Sequence, residues 1–265
     1  MYQSENQKKY LKKIKVEKKL ILFIQLSIVI IFLFLWEFLT RKNIIDSFIY
    51  SSPLNIIKTL KNLYFKNQLF SHILTTFKEI LIVFSLNLIL SFIIAILFYE
   101  YKIIEKIFDP FLTILNSLPK VALGPIIIII FGANEKSIII MALLINLIVS
   151  ITTIYNGFEN TDKSKIKMFN TFNSSKKDIL LKLVIPSSYS DIITSMKLSI
   201  SLTLIGVITG EFLVSKKGIG YLIIYGTQIF DLNLVFCGIT ILLILSYLLY
   251  LIIINIEKKT NKKAS

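Results

Sequence analysis

Few residues in this chain are equipped to do chemistry. Lys120, Lys197 and Glu211 stand in or beside long apolar stretches, where an ionisable group is expensive. A Lys at the centre of a membrane-spanning helix costs about 2.5–3.5 kcal/mol on insertion scales, so it faces protein or water. Lys120 and Lys197 facing an aqueous pathway would give it a cationic lining suited to an anionic solute. A plainer role is open for each. Lys120 can bond carbonyls freed by Pro119 and Pro125, Lys197 can reach toward headgroups, and Glu211 can pair with Lys216 or Lys217. Other chemistry has little to work with. His72 is the single His and Cys237 the single Cys, so there is no metal set, nucleophile–base pair or disulfide framework. None of the nine glycines belongs to a Gly-x-x-x-x-Gly-Lys-Ser/Thr loop, the arrangement that cradles nucleotide phosphates.

The elements that hold these residues follow from the spacing of charge. Seventeen positions from Leu20 to Trp36, twenty from Ile80 to Tyr99, twenty-two from Ser137 to Phe158 and twenty-five from Leu232 to Ile256 carry no charged residue. A helix needs roughly 20 apolar residues to cross about 30 Å of hydrocarbon. Two further spans complete the set: one between Asp109 and Glu135, interrupted by Pro119, Lys120 and Pro125, and one from about Ser190 to Leu213. The expectation is an all-α polytopic membrane protein with six transmembrane helices. A basic N-terminus (1–19), a six-helix domain (20–256) with a long connection at 159–186, and a basic tail (257–265) divide the chain. A soluble globular enzyme, a disordered chain and a nucleic-acid-binding domain are excluded. The basic excess, 29 Lys and one Arg against 16 acids, then reads as a topology signal. Nineteen basic residues fall on the side of both termini and eight on the other, which places N- and C-termini in the cytoplasm.

Two connections exceed simple turns. Ser52-Pro53 is a helix start, with Leu54, Ile57, Leu60 and Tyr64 following on one face of an interfacial helix. The 159–186 connection divides into two short helices. The first, about Ser164 to Phe172, places Ile166, Phe169 and Phe172 three apart on one face. The second opens on a capping box from Ser175 to Asp178 and is ended by Pro186. The aromatic residues of the first helix need burial, beneath the bundle, in the interface or in the groove of a partner.

Three patches resemble the inner-membrane permease subunits of ABC importers, in particular the nitrate, sulfonate and taurine group. They are Leu118–Pro125 running on to Phe131-Gly132, the Gly210-Glu211-Phe212 and Lys217–Tyr221 segment, and the 159–186 loop. That loop stands where the family has its Glu-Ala-Ala loop, with Asn173 in place of its Gly, Ser174-Ser175 following and Pro186 closing. The resemblance implies a type I importer permease fold and a membrane-embedded homodimer around one pathway. It implies a cytoplasmic ABC ATPase docked on Ile166, Phe169, Phe172, Asn173, Ser174, Ser175 and Pro186, and an extracytoplasmic substrate-binding protein. Pro119, Lys120, Pro125, Lys197 and Glu211 are the candidate pathway residues. No cofactor belongs to the chain itself and ATP is used by the partner. The solute implied is a nitrate-, sulfonate- or taurine-like anion, or a vitamin precursor such as a hydroxymethylpyrimidine.

A secondary carrier or channel would instead show inverted repeats and acids near mid-span. A membrane enzyme would show clustered catalytic groups. The sequence displays none of these.

Overall fold

The computed structural model describes residues 5–66 and 68–264, and every regular element among them is helical. Helix α1 runs Glu5–Arg41, followed by a turn, α2 (Ser47–Tyr50) and α3 (Pro53–Phe65). The Lys-rich N-terminal tail is helical from Glu5 and continuous with the first span, since Lys, Gln and Leu are good helix formers. Residues 1–4 of that proposed tail, and residue 265 of the C-terminal one, lie outside the described residues. Ser52 caps α3 by accepting from Asn55 N–H at 3.3 Å. The face that α3 buries is not the expected one. Ile56 and Leu63 go inward, while Leu54, Ile57 and Tyr64 are exposed, because the helix has apolar residues on two sides and α13 takes one of them.

The second span, α4, runs Leu69–Glu100, eleven residues longer at its start than the uncharged stretch suggests. Lys78 points outward to Glu135 at 2.9 Å, so one face stays polar while His72, Thr76, Glu79, Val83, Asn87, Ser91 and Ala95 form a buried stripe at helical spacing. Next come α5 (Lys102–Ser117), a short 3-10 turn (Lys120–Leu123), α6 (Gly124–Phe131) and α7 (Glu135–Glu159). After the 159–188 connection, α11 (Tyr189–Val214), the short α12 (Ile219–Gln228) and α13 (Leu232–Ala264) complete the bundle.

Five of these helices are long and apolar enough to cross a membrane, and α5 with α6 forms a pair bent by 92°. Two ion pairs decide what the bent pair does. Lys78 near the start of α4 meets Glu135 at the start of α7, and Lys102 just past the end of α4 meets Glu159 at the end of α7. Helices α4 and α7 are thus parallel, and residues 101–134 must return the chain from one end of the bundle to the other. The pair α5–α6 is a broken sixth span. Both described chain ends then lie on the side of the 159–188 connection, as the Lys197–Glu257 pair at 2.8 Å also requires for α13.

The centre of the bundle is the antiparallel contact of α7 and α11. Gly206 lies so near Ala142 that a Cβ there would stand 2.5 Å from the Ala142 Cα, which is backbone and cannot move aside. Lipid tails are as apolar as Leu, so burial alone does not bring spans together; close packing of small residues and interhelical hydrogen bonds do. A polar seam fixes the register. Asn87 donates to Ser150 at 2.8 Å and Ser199 at 2.9 Å, and Asn146 donates to Ser199 Oγ at 2.7 Å and Thr203 at 2.8 Å. All are buried. At about 0.6 kcal/mol on average per such bond, the seam specifies alignment more than it supplies stability.

Gly206→Val is expected to cost about 1–3 kcal/mol through overpacking, lowering the thermal midpoint in detergent. A midpoint equal to that of the unsubstituted protein would remove the close α7–α11 contact.

Candidate functional site

The connection between α7 and α11 is built as two capped helices. Asp162 accepts from Ser164 N–H at 2.8 Å and starts α8 (Lys163–Thr171). The Ser164 hydroxyl and amide hold the Asp162 carboxyl below its usual range. Asn173 takes φ 52°, the left-handed conformation that Asn tolerates and that reverses the chain. Ser175 then caps α9 (Lys176–Ile179), accepting from Asp178 N–H at 3.1 Å and donating to Asp178 Oδ2 at 2.6 Å. Lys182 and Ser175 beside Asp178 keep that carboxyl low as well. Both carboxylates are therefore ionised at neutral pH, and their contribution fades as pH falls through these lowered values.

Pro186 does not end the second helix. A wide π turn (Leu180–Val184) leads into α10 (Ile185–Ser187), and Ser188 N–H bonds Val184 O at 3.0 Å. The extra residue in the turn accommodates a ring that has no N–H and would clash in an ordinary α-turn. Ser188 Oγ donates to Gly157 O at 2.7 Å, tying the end of the connection to α7.

The aromatic face expected on α8 is split. Ile166 and Phe169 pack back onto a core of Ala95, Ile154, Phe158, Ile179, Leu180 and Val184. Phe172 is 75% exposed and Met168 50% exposed. Steps of three residues fall 60° short of a full helical revolution each time, and Phe172 already lies past the last turn as the C-cap. Asn173 and Ser175 are exposed beside it and Ser174 is half-buried.

The candidate pathway residues do not converge. Pro119, Lys120 and Pro125 gather at the α5–α6 break, where Lys120 Nζ donates to Asn116 Oδ1 at 3.0 Å and Asn116 O at 3.4 Å. That carbonyl is free because α5 stops at Ser117. Lys197 is held by Glu257 at 2.8 Å, so its charge is matched within the chain. Glu211 lies fourteen residues further along α11, about 21 Å away at helical rise.

Among the described residues Glu211 forms no ion pair with a lysine. Its side chain is fully buried at the far end of the bundle, where Oε1 accepts from the Thr76 hydroxyl at 2.6 Å and Oε2 from Gly220 N–H at 2.5 Å. Thr76 Oγ1 in turn accepts from Ile219 N–H at 2.8 Å, and His72 Nδ1 from Gly218 N–H at 3.0 Å. The carboxylate caps the start of α12 from another helix, where free amides and the helix dipole favour negative charge. Gly218, at φ 114°, presses against that carboxylate, and a Cβ would overlap it. Glu79 is buried on the same stripe of α4, one turn beyond Thr76. The second oxygen of Glu79 has no partner among the described residues.

With this geometry in view, comparison with known proteins is decisive. Residues 87–262 match the family model described as "Binding-protein-dependent transport system inner membrane component". The chain belongs to that family. It is the inner-membrane permease component of an ABC importer, an all-α protein crossing the membrane several times. The permease is 28% identical to a probable ABC transporter permease protein of Haemophilus influenzae over 85% of its own length and 91% of the relative. It is 27% identical to a putative aliphatic sulfonates transport permease protein of Bacillus subtilis, covering 86% and 83% of the two chains. A formylaminopyrimidine transport permease protein of Halalkalibacterium halodurans is 26% identical over 84% and 88%. Membership of a binding-protein-dependent family implies an ATPase and a substrate-binding protein as partners.

Sequence reasoning missed His72, Thr76 and Glu79 of the permease, which gather around Glu211 and the start of α12. The charged residues Lys78 and Glu79 looked like the flank of the second span. The 72-76-79-83-87-91 spacing was the available signal, since a helix start would not align polar residues with the buried stripe beyond it.

Thr76→Val removes a donor to Glu211 and an acceptor for Ile219, and is expected to cost about 1–3 kcal/mol by leaving buried groups unsatisfied. Glu211→Gln turns an amide against the same donors and is expected to cost a similar amount. Glu79→Gln keeps the size of a side chain that accepts from none of these donors and should leave the thermal midpoint nearly unchanged. Equal loss for Glu79→Gln and Glu211→Gln would contradict this assignment of roles.

Proposed function

We propose that this permease forms half of the translocation pathway of an ATP-driven importer, with both termini and the 159–188 connection in the cytoplasm. The bias of basic residues toward that side supports the orientation. The observation that carries the reading is the two-sided build of α8. One face is packed onto the ends of the spans, while Met168 and Phe172 project from a rigid, capped helix pair. Such a pair suits a helix docked in a partner's groove, and a push on it passes directly to α7 and α11. The sequence has no phosphate-cradling loop, so ATP is hydrolysed by the partner and the permease is no enzyme.

A second copy completes the pathway. Helix α5 buries no residue in the single chain, and Phe111, Ile114, Ile129 and Ile130 on the broken span are all more than half exposed. The Pro119–Pro125 break then faces the shared axis, since irregular backbone at membrane depth is tolerated only against protein or water. With Lys197 neutralised by Glu257, Lys120 is the one candidate pathway lysine still able to attract an anion. A sulfonate-like anion or an aminopyrimidine, close to the solutes named in two relatives, is delivered by the substrate-binding protein.

Met168→Ala with Phe172→Ala is expected to leave insertion and thermal midpoint unchanged while reducing co-purification of the ATPase. Phe169→Ala should lower the midpoint instead, because it empties a packed site. Undiminished ATPase recovery with the double variant would remove α8 as the docking element. A cysteine placed at Lys167 should react with a membrane-impermeant thiol reagent only in inverted vesicles; reaction in intact cells would reverse the orientation.

A further inference from the structure

A cleft of about 360 Å³ opens where the 159–188 connection meets the ends of the spans. Its floor is apolar, formed by Tyr99, Phe158, Ile166, Ile179 and Leu180, and its polar wall includes Lys102, Lys163, Lys176, Thr161 and Asn170. Lys102 is fixed by Glu159 and the Tyr155 hydroxyl, with its ammonium 5.4 Å and 5.0 Å from the Tyr99 and Tyr155 ring centres. Lys163 and Lys176 have no ion-pair partner among the described residues, and the remaining carboxylate, Glu100, is exposed. The cleft therefore keeps one net positive charge above a hydrocarbon floor.

Its level matters as much as its charge. Tyr99 and Tyr155 lie in the last turns of α4 and α7, the depth at which tyrosines mark the membrane–water boundary. A basic pocket between helix ends at this depth suits a phosphate that carries acyl chains. A free phosphate gains nothing from the apolar floor. We propose that the cleft binds the headgroup of an anionic phospholipid, its phosphate between Lys163 and Lys176 and its glycerol region over Tyr99 and Phe158. Bound there, the lipid bridges α8 and α9 to the ends of α4 and α7.

The test uses the full chain purified in neutral detergent, titrated with phosphatidylglycerol, phosphatidylcholine, glycerol 3-phosphate or inorganic phosphate. Retained lipid is counted by native mass spectrometry and the thermal midpoint followed in parallel. Phosphatidylglycerol alone should be retained and should raise the midpoint. Lys163→Gln with Lys176→Gln should weaken it about 30-fold, at about 1 kcal/mol per lysine near an anionic surface. Lys163→Arg with Lys176→Arg should restore it, and Lys58→Gln with Lys61→Gln at the other end of the bundle should leave it unchanged. Equal retention by the Gln pair and the unsubstituted chain, or equal retention of phosphatidylcholine, would overturn the site. An equal midpoint rise with inorganic phosphate or glycerol 3-phosphate would overturn the lipid assignment in favour of a soluble anion.

Discussion

Inside a bilayer a polar side chain has no water to turn to, and this constraint organises the permease. Asn87, Asn146, Ser150, Ser199 and Thr203 bond one another across three different spans. Their bonds hold when α4, α7 and α11 sit in one register. The Gly206–Ala142 contact then brings two backbones together at the same level. Small residues supply closeness and polar residues supply alignment, a division of labour that apolar side chains in an apolar solvent cannot provide.

The two ends of this three-helix unit are finished differently, and the difference fits a transporter. At one end the connection between α7 and α11 is capped, packed and tied to Gly157, so displacement of α8 is displacement of the unit. At the other, the Glu211 carboxylate accepts from an amide of α12 and a hydroxyl of α4, closing the bundle with a polar knot. Helices α5 and α6 stand apart from both arrangements. Their backbone is broken and their apolar faces are uncovered within one chain. A rigid unit beside a broken, exposed span is what an alternating pathway between two copies requires.

Much of this was legible in the residue order. Gaps in charge located the spans, Ser52-Pro53 and Ser175–Asp178 located helix starts, and Asn173 located a reversal, because each rests on local backbone chemistry. Three things were not. The burial of Glu79 and Glu211 depends on which face of α4 meets α11, information that a charge count along the chain discards. The pairing of Lys197 with Glu257 joins residues sixty apart, so its lysine read as a free cation. The split between Phe169 and Phe172 arises from the angular drift of a three-residue step and from the helix ending one residue early. Pro186 misled for a related reason, since a π turn is a tertiary accommodation with no sequence signature of its own.

The central claim is that the 159–188 connection and the far end of α11 move as one body when the partner ATPase closes. Spin labels on cysteines at Lys167 and Lys216, with buried Cys237 replaced by Ala, report that distance within one copy diluted among unlabelled copies. Measured in the reconstituted transporter, the account predicts the same distance distribution in the nucleotide-free and ATP-trapped states. A distribution that shifts or splits on ATP trapping would show the connection moving against the spans, and would contradict it.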